Sequence, residues 1–549
     1  MGPRPEYPRP NLRRAEWQSL NGEWEFGAGS EPVFDRTIVV PFCPESQLSG
    51  IGARVGDVVW YRRRFDAPSA ERLFLRFGAV DYRATVWVNE VEVARHEGGH
   101  SPFGADITGA VRPAGNVVVV RAEDPLADKT LPRGKQFWTE SPEGIFYTAT
   151  TGIWQPVWLE PVPERRIHRL DLKPDLVAGA VDFELAGDGE AEVVALFDGQ
   201  VVGAWSGLAG PGRLQLDRVV AWHPESPRLY DLQARLLDDD GKVADRVDSY
   251  FGLRTVEARD GRTWLNGVPF VERLVLDQGY FPGGLLTAAT DDDLRRDIEL
   301  AKSMGFNGAR KHQKAEDPRW LYWADRLGFL VWSEMPSFHE FTDEAARRLT
   351  AEWIDLVSRD RQHPSVVTWV IANESFGLDH IQASVRSRFL TQLYEVTRRL
   401  DGTRPVVSNE GWEHSSSDLC TIHDYSPPPE LARRYRDADG ALDGSASGHP
   451  VFDVGYRYSG QPVLVSEFGG LRVADSGGWG WLEVKDRDEF VRDYGALIGS
   501  LMERGPVEGF CYTQLTDVQQ EQNGLLTAER EPKVDPELLR PLTQSPKRR

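Results

Sequence analysis

Two glutamates stand out for the chain that leads into them. Glu374 closes the run Thr368-Trp-Val-Ile-Ala-Asn-Glu374, and Glu467 closes Val463-Leu-Val-Ser-Glu467. Both runs are short and strongly β in character. Two carboxyl groups facing each other across a pocket suit cleavage of a glycosidic bond. One, as the acid, protonates the departing oxygen, and the other, as carboxylate, attacks the anomeric carbon. In a retaining enzyme the pair lies about 5–5.5 Å apart. Mutual repulsion and partial burial are expected to raise the pKa of the acid, so that it stays protonated until needed. Either glutamate alone reads equally well as a helix cap or an ion-pair partner; the pair, in these contexts, points to chemistry.

Such a pair needs a scaffold that aims strand ends at one place. Eight short apolar runs recur after residue 256: Val271–Leu276, Gly305–Ala309, Phe329–Trp332, Val366–Ile371, Val406–Val407, Leu419–Ile422, Val463–Val465 and Gly509–Tyr512. Helical patterns alternate with them. Thr290 can cap a helix with Asp291–Asp293 in its first turn, and Leu294, Ile298, Ala301 and Met304 follow at helical spacing. Asp317-Pro318 opens a second helix that Gly328 stops, and a third spans Ile381–Leu400. This alternation predicts a (β/α)8 barrel over 257–549, whose strand C-terminal ends share one face. Those ends are polar throughout: Asp277-Gln278, Arg310-Lys311-His312-Gln313, Glu334, Asn373-Glu374, Asn409-Glu410, His423-Asp424-Tyr425, Glu467, and Gln514 with Asp517.

The chain before the barrel reads as two β domains. In 1–164, runs such as Leu73–Leu75, Thr85–Val88 and Val117–Val120 are separated by turn residues, with Asn89-Glu90 as a hairpin turn. A β-sandwich or jelly roll is expected there. In 165–256, Val181–Leu185 and Leu232–Leu236 alternate apolar and polar, as in a small immunoglobulin-like sandwich.

Composition narrows the function classes. The chain has 549 residues, 64 basic and 85 acidic, for a formal charge of −21. That balance disfavours nucleic acid and anionic membrane surfaces as partners. Cys43, Cys420 and Cys511 have neither disulfide-framework nor zinc-ligand spacing and read as small buried hydrophobes. No stretch approaches a membrane span and the N-terminus has no apolar core, so a cytoplasmic protein is expected. Some of the 18 tryptophans suit the flat faces of sugars.

Taken with the domain order, these residues resemble glycoside hydrolase family 2, which includes β-galactosidases, β-glucuronidases and β-mannosidases. The resemblance runs through Asn11-Leu with Trp17, Leu20-Asn-Gly-Glu-Trp24, Gly152-Ile-Trp with Trp158-Leu, Phe251-Gly-Leu-Arg254 and Leu265-Asn-Gly267. Its strongest piece is His363-Pro-Ser-Val-Val-Thr-Trp369 leading to Asn373-Glu374. It implies an exo-acting retaining β-glycosidase with Glu374 as acid/base and Glu467 as nucleophile. Asn373 would bond the sugar 2-hydroxyl, Tyr425 would orient the nucleophile, and Arg310 would set the electrostatics around it. His312, Gln313, His423 and Tyr512 join the implied substrate-binding set, Tyr512 where galactosidases of the family often have a tryptophan platform. No cofactor is implied, and homo-oligomers are common among members.

The departures concern which sugar is bound. After Arg310 the chain reads Lys311-His-Gln-Lys314 instead of a Ser-His-Tyr-Pro-like run. Thr516–Gly524 lacks the lysine with which family β-glucuronidases bind the sugar carboxylate, which favours a neutral, galactose-like or arabinopyranose-like sugar. Against that, Lys311, His312 or Lys314 would pair with an acidic one. Phe146-Tyr-Thr-Ala stands where many members carry a sugar-binding aspartate, leaving Asp277, Glu143 and Glu334 as substitutes. Two other classes remain open. A carbohydrate-binding protein without turnover would keep the pocket, and a metal hydrolase would use His312, Glu334 and Glu374, though without a recognised ligand spacing.

Overall fold

The structure is a computed structural model that describes residues 2–474, 477–503 and 505–545. The first unit is a sandwich of antiparallel sheets. Its six-stranded sheet runs, edge to edge, Arg36–Val40, Gly22–Ala28, Val58–Phe65, Asn116–Glu123, Arg83–Val88 and Val91–Glu97. The facing sheet holds Gln18–Ser19, Val157–Val162, Arg72–Phe77 and Phe103–Asp106. Alternation sets the faces: along Asn116–Glu123 every second side chain is buried. Asn89 and Glu90 both take positive φ, 49° and 70°, and form the expected hairpin turn.

The second unit pairs a three-stranded with a four-stranded antiparallel sheet between Arg169 and Phe251, the seven-strand immunoglobulin-like arrangement. It is bracketed to the third unit from below. Arg254 donates to the carbonyls of Pro364 (3.0 Å) and Val366 (2.9 Å), while Trp222 Nε1 and the Tyr250 hydroxyl bond Asp325, each at 2.8 Å.

The third unit is the barrel. Its strands are β1 (Glu272–Asp277), β2 (Gly308–Lys311), β3 (Leu330–Glu334), β4 (Val366–Val370), β5 (Val406–Val407), β6 (Cys420–His423), β7 (Val463–Gly469) and β8 (Val507–Thr513). All eight expected runs are present, in order and parallel. Closure departs from the ideal: the ladder runs from β5 through β1 to β6, and β5 and β6 are not paired with each other. His414 spans that gap, its Nε2 2.8 Å from the Thr421 carbonyl. Leu274, Leu276, Leu330, Trp332, Leu464 and Cys511 fill the interior, and Val275, Ala309, Val331, Phe510 and Tyr512 face the helices.

Helix signals at Thr290 and Asp317 act as expected. Thr290 and Asp293 form a reciprocal capping box, and Pro318 opens a helix that ends at Gly328 with φ 70°. The third helix starts at Ala383, and a further long helix, Asp343–Asp360, is capped by Thr342.

Between Glu123 and Gly152 the first sandwich sends out a segment without strands, and it lies on the barrel mouth. The backbone N–H groups of Arg133 and Gly134 donate to the Ser337 carbonyl at 3.1 and 3.0 Å. Tyr147 donates to Glu521 at 2.7 Å, and Gln520 to the Phe146 carbonyl at 2.7 Å.

Candidate active site

Strand parity decides which polar residues enter the barrel. On β2, Ala309 and Lys311 face outward and Arg310 inward; on β3, Trp332 and Glu334 face inward. Regular alternation on β7 would turn Glu467 outward, since Leu464 faces in and Val465 out. The register slips against β8 between Val465 and Phe468. That extra residue lets Ser466 and Glu467 both reach the interior before Phe468 returns to the outer layer, the re-aiming a β-bulge performs.

Arg310 is the hub, fully buried. Its guanidinium donates to Glu334 (2.6 Å), Glu467 Oε1 (2.9 Å) and Asn373 Oδ1 (2.6 Å). The other Glu467 oxygen accepts from the Tyr425 hydroxyl at 2.7 Å, and Trp481 stacks on Tyr425 with ring centroids 3.9 Å apart. Glu467 is thus a carboxylate gripped on both oxygens. Glu374 follows β4 with φ 50°, and Ser375 with φ 52°. This left-handed pair of non-glycine residues is backbone strain of the kind functional sites retain.

His423 joins the carboxylates, its Nδ1 2.7 Å from Glu374 and its Nε2 3.0 Å from Glu410. Burial opposes its charge, but Glu467, Glu374 and Glu410 outweigh burial and push its pKa up to about 10, so it is an imidazolium. Glu410 is pulled down to about 2, burial being overcome by Arg310, His423 and Ser466. Burial pulls Glu374 upward, yet His423, Lys135 and Arg310 hold it below the usual carboxylate range. The expected raised pKa of this acid is therefore corrected: the neighbouring cations outweigh repulsion and burial.

One oxygen of Glu374 and one of Glu467 lie within 4.8 Å of each other and of a His423 ring nitrogen. These donors could surround a metal ion, but both His423 nitrogens are committed to carboxylates as N–H donors, and a metal ligand needs a free lone pair. His312, Glu334 and Glu374 do not form the grouping expected for a metal hydrolase. Glu334 is spent on Arg310 and Gln313, and His312 Nδ1 is 3.0 Å from Gln278 Oε1.

Three family models match the chain: a glycosyl hydrolase 2 galactose-binding domain-like region at 50–144, glycosyl hydrolases family 2 at 169–254, and the family 2 TIM barrel domain at 256–479. A β-glucuronidase of Paenibacillus borealis is 30% identical over 531 residues, covering 85% of each chain. The chain belongs to glycosyl hydrolase family 2. A β-glucuronidase of Canis lupus familiaris is 28% identical over 85% of this chain and 80% of its own. Among solved structures, β-D-glucuronidase of Dictyoglomus thermophilum superposes with a TM-score of 0.81 at 23% identity, covering 99% of both chains. Ruminococcus gnavus β-glucuronidase in complex with D-glucuronic acid gives 0.81 at 21%, covering 99% of this chain and 100% of its own. As a family 2 member the protein is an O-glycosyl hydrolase acting on carbohydrate. Among the described residues no helix is long and apolar enough to cross a membrane.

Within this family 2 frame, Glu374, Glu467, Asn373, Arg310, His312, Tyr425 and His423 come together at the mouth. Among the described residues, Asn373 Nδ2 and His312 Nε2 are buried nitrogens without a hydrogen-bond partner, the latter 3.6 Å from Glu467 Oε1. Gln313 and Glu334 support Arg310 and the rim: Gln313 donates to Glu334 at 2.7 Å and accepts from the Ser337 N–H at 2.8 Å. Two expected contacts are corrected. Asp277 faces outward, 2.7 Å from Lys311 Nζ, because it shares the parity of Val275. Tyr512 points into the helix layer, its ring against Phe468 and Tyr494 and its hydroxyl accepting from the Leu471 N–H. Lys311 and Lys314 are also lost to the pocket, since both are salt-bridged to Glu316. Glu143 is exposed.

Three residues near the pocket were given no site role by the sequence: Lys135 of the first sandwich, Tyr147, which stood out only as part of Phe146-Tyr-Thr-Ala, and Glu521 after β8, within the Thr516–Gly524 stretch. The signal available was the length of the strandless stretch 124–151, since loops beyond roughly 12–15 residues in compact domains are usually functional.

Proposed function

We propose that the protein is a retaining exo-β-glycosidase that removes a terminal β-D-glucuronosyl residue. The observation that carries the mechanism is the pair of carboxylates within 4.8 Å, one gripped by Arg310 and Tyr425 and the other by His423. Glu467, oriented by Arg310 and Tyr425, attacks the anomeric carbon while protonated Glu374 gives its proton to the glycosidic oxygen. The aglycone leaves as the alcohol. Glu374, now a carboxylate, takes a proton from water, whose oxygen attacks the glycosyl-enzyme and frees Glu467. Arg310 and Tyr425 keep Glu467 aligned, and Asn373 Nδ2 is free to bond the 2-hydroxyl as charge develops. The glucuronide assignment is supported by the names of the relatives above. Buried cysteines at 43, 420 and 511, none in a disulfide, suit the cytoplasm as the compartment.

A neutral-sugar reading is favoured by one observation, the absence of lysine from 516–524. A β-galactosidase of Thermoanaerobacter pseudethanolicus, 28% identical, supports it over 67% of this chain and 51% of its own. A panel of p-nitrophenyl glycosides separates the two readings. On the preferred substrate, Glu467→Gly is expected to be inactive and to regain turnover with azide, releasing a glycosyl azide of inverted configuration. Glu374→Ala is expected to lose about 10²–10⁴-fold in rate, and less with a leaving group that departs without protonation. Full activity in Glu467→Gly without azide would remove the proposed nucleophile.

A further inference from the structure

Three lysines are buried in the described chain: Lys135, Lys311 and Lys314. Two have obvious partners. Lys311 is salt-bridged to Asp277 and Glu316, at 2.7 and 2.6 Å. Lys314 pairs with Glu316 at 2.9 Å and donates to the carbonyls of Gly279 and Leu286. Lys135 is 6% exposed, and among the described residues no carboxylate or carbonyl is in hydrogen-bonding or ion-pair range of its ammonium. The side chain is largely covered while its ammonium nitrogen is not among the fully enclosed atoms, so the charge is held without a fixed partner and open to pair with an anion that enters the pocket.

Its surroundings say where the anion would sit. Lys135 belongs to the segment that the first sandwich lays over the barrel mouth, and its own carbonyl accepts from the Tyr147 N–H at 2.8 Å, fixing the loop. The ammonium lies 5.7 Å from the ring centroids of both Phe146 and Phe376, so its walls are apolar. Phe376 is two residues beyond Glu374. The positive charge of Lys135 acts on Glu374, His312 and Glu521 alike, which places it over the pocket those residues share.

We propose that Lys135, supplied by the first β domain, is the specificity residue that binds the carboxylate of a uronic acid seated between Glu374 and Glu467. The lysine missing from 516–524 is thereby replaced from another domain. A single ammonium in an apolar niche pairs with a carboxylate as a point charge, and the niche excludes the water that would weaken the pair. A neutral sugar would leave that charge unpaired. The assignment rests on the glycosidase reading above.

The test measures kcat/KM for p-nitrophenyl β-D-glucuronide and β-D-glucoside with wild type, Lys135→Met, Lys135→Arg and Glu467→Gln. The glucuronide-to-glucoside ratio is expected to fall about 10- to 100-fold in Lys135→Met and less in Lys135→Arg. An unchanged ratio overturns the proposal, as does a loss that follows 4-carboxyphenyl β-D-glucoside instead, which would put the charge on the aglycone side. If wild type cleaves only neutral glycosides and Glu467→Gln cleaves none, the glycosidase mechanism stands and the Lys135 assignment falls. If wild type cleaves neither, calorimetry with D-glucuronate and D-glucose still decides. Glucuronate binding that Lys135→Met abolishes upholds the lysine, and equal binding by both proteins overturns it. A melting temperature for each variant separates loss of fold from loss of recognition.

Discussion

His423 donates from both ring nitrogens, to Glu374 and to Glu410, and its charge lowers the pKa of the proposed acid. A general acid works only while protonated, so kcat/KM for a poor leaving group must fall as pH rises through the free-enzyme pKa of Glu374. In wild type that limb lies at low pH. Replacing His423 by Gln removes the imidazolium and leaves burial to raise Glu374. The pH profile of His423→Gln is therefore expected to carry its basic limb at higher pH than wild type. A limb that stays put or moves lower would mean that His423 does not control the acid. The imidazolium also offsets part of the negative charge that Glu374, Glu410 and Glu467 would otherwise concentrate in one pocket.

At the scale of elements, the segment 124–151 positions residues that no barrel strand supplies. Gly134 is its tightest point. Its φ is 59°, and a Cβ there would meet the Gln313 carbonyl oxygen at 2.1 Å. Gly134→Ala is expected to lift the segment from the rim, costing about 1–3 kcal/mol of stability and much of the turnover. Thermal melts and steady-state kinetics would check both effects, and a wild-type melt with full activity would refute the docking role. The eight barrel strands were legible because each is a short apolar run closed by polar residues, and the caps at Thr290 and Asp317 because their chemistry is local. The place of Glu374 and Glu467 together at the barrel mouth was legible from their preceding runs and from the family resemblance. Asp277 and Tyr512 were misread because a polar residue at a strand end faces in or out according to parity, which the run length alone leaves open. Lys135 went unnoticed because its niche is completed by chain more than 200 residues away: Ser337 anchors its neighbours Arg133 and Gly134, and Phe376 walls its ammonium beside the nearby Phe146. The bulge that turns Glu467 inward likewise depends on β8.

Across the whole molecule the labour is divided. The barrel brings the carboxylates, the first sandwich contributes Lys135 and Tyr147, and the second sandwich clamps the barrel's base through Arg254, Trp222 and Tyr250. Removing the first sandwich would therefore unmake the pocket even if the barrel folded. The unpaired edge between β5 and β6 has a further consequence. No backbone ladder forms there among the described residues; one backbone bond, from the Asp418 N–H to the Val406 carbonyl at 2.9 Å, joins β5 to the entry of β6, and side-chain bonds cross above it: His414 to Thr421, and Glu410 to His423, the residue that also holds Glu374. The seam of the cylinder is thus stitched by part of the proposed active site, so on that proposal occupancy and cohesion are one quantity read in two ways. Deuterium should enter the amides of 406–423 before those of β1 to β4, and a saturating sugar-lactone inhibitor should slow that entry first. Uniform labelling around the cylinder would show that the seam is no weaker than the rest.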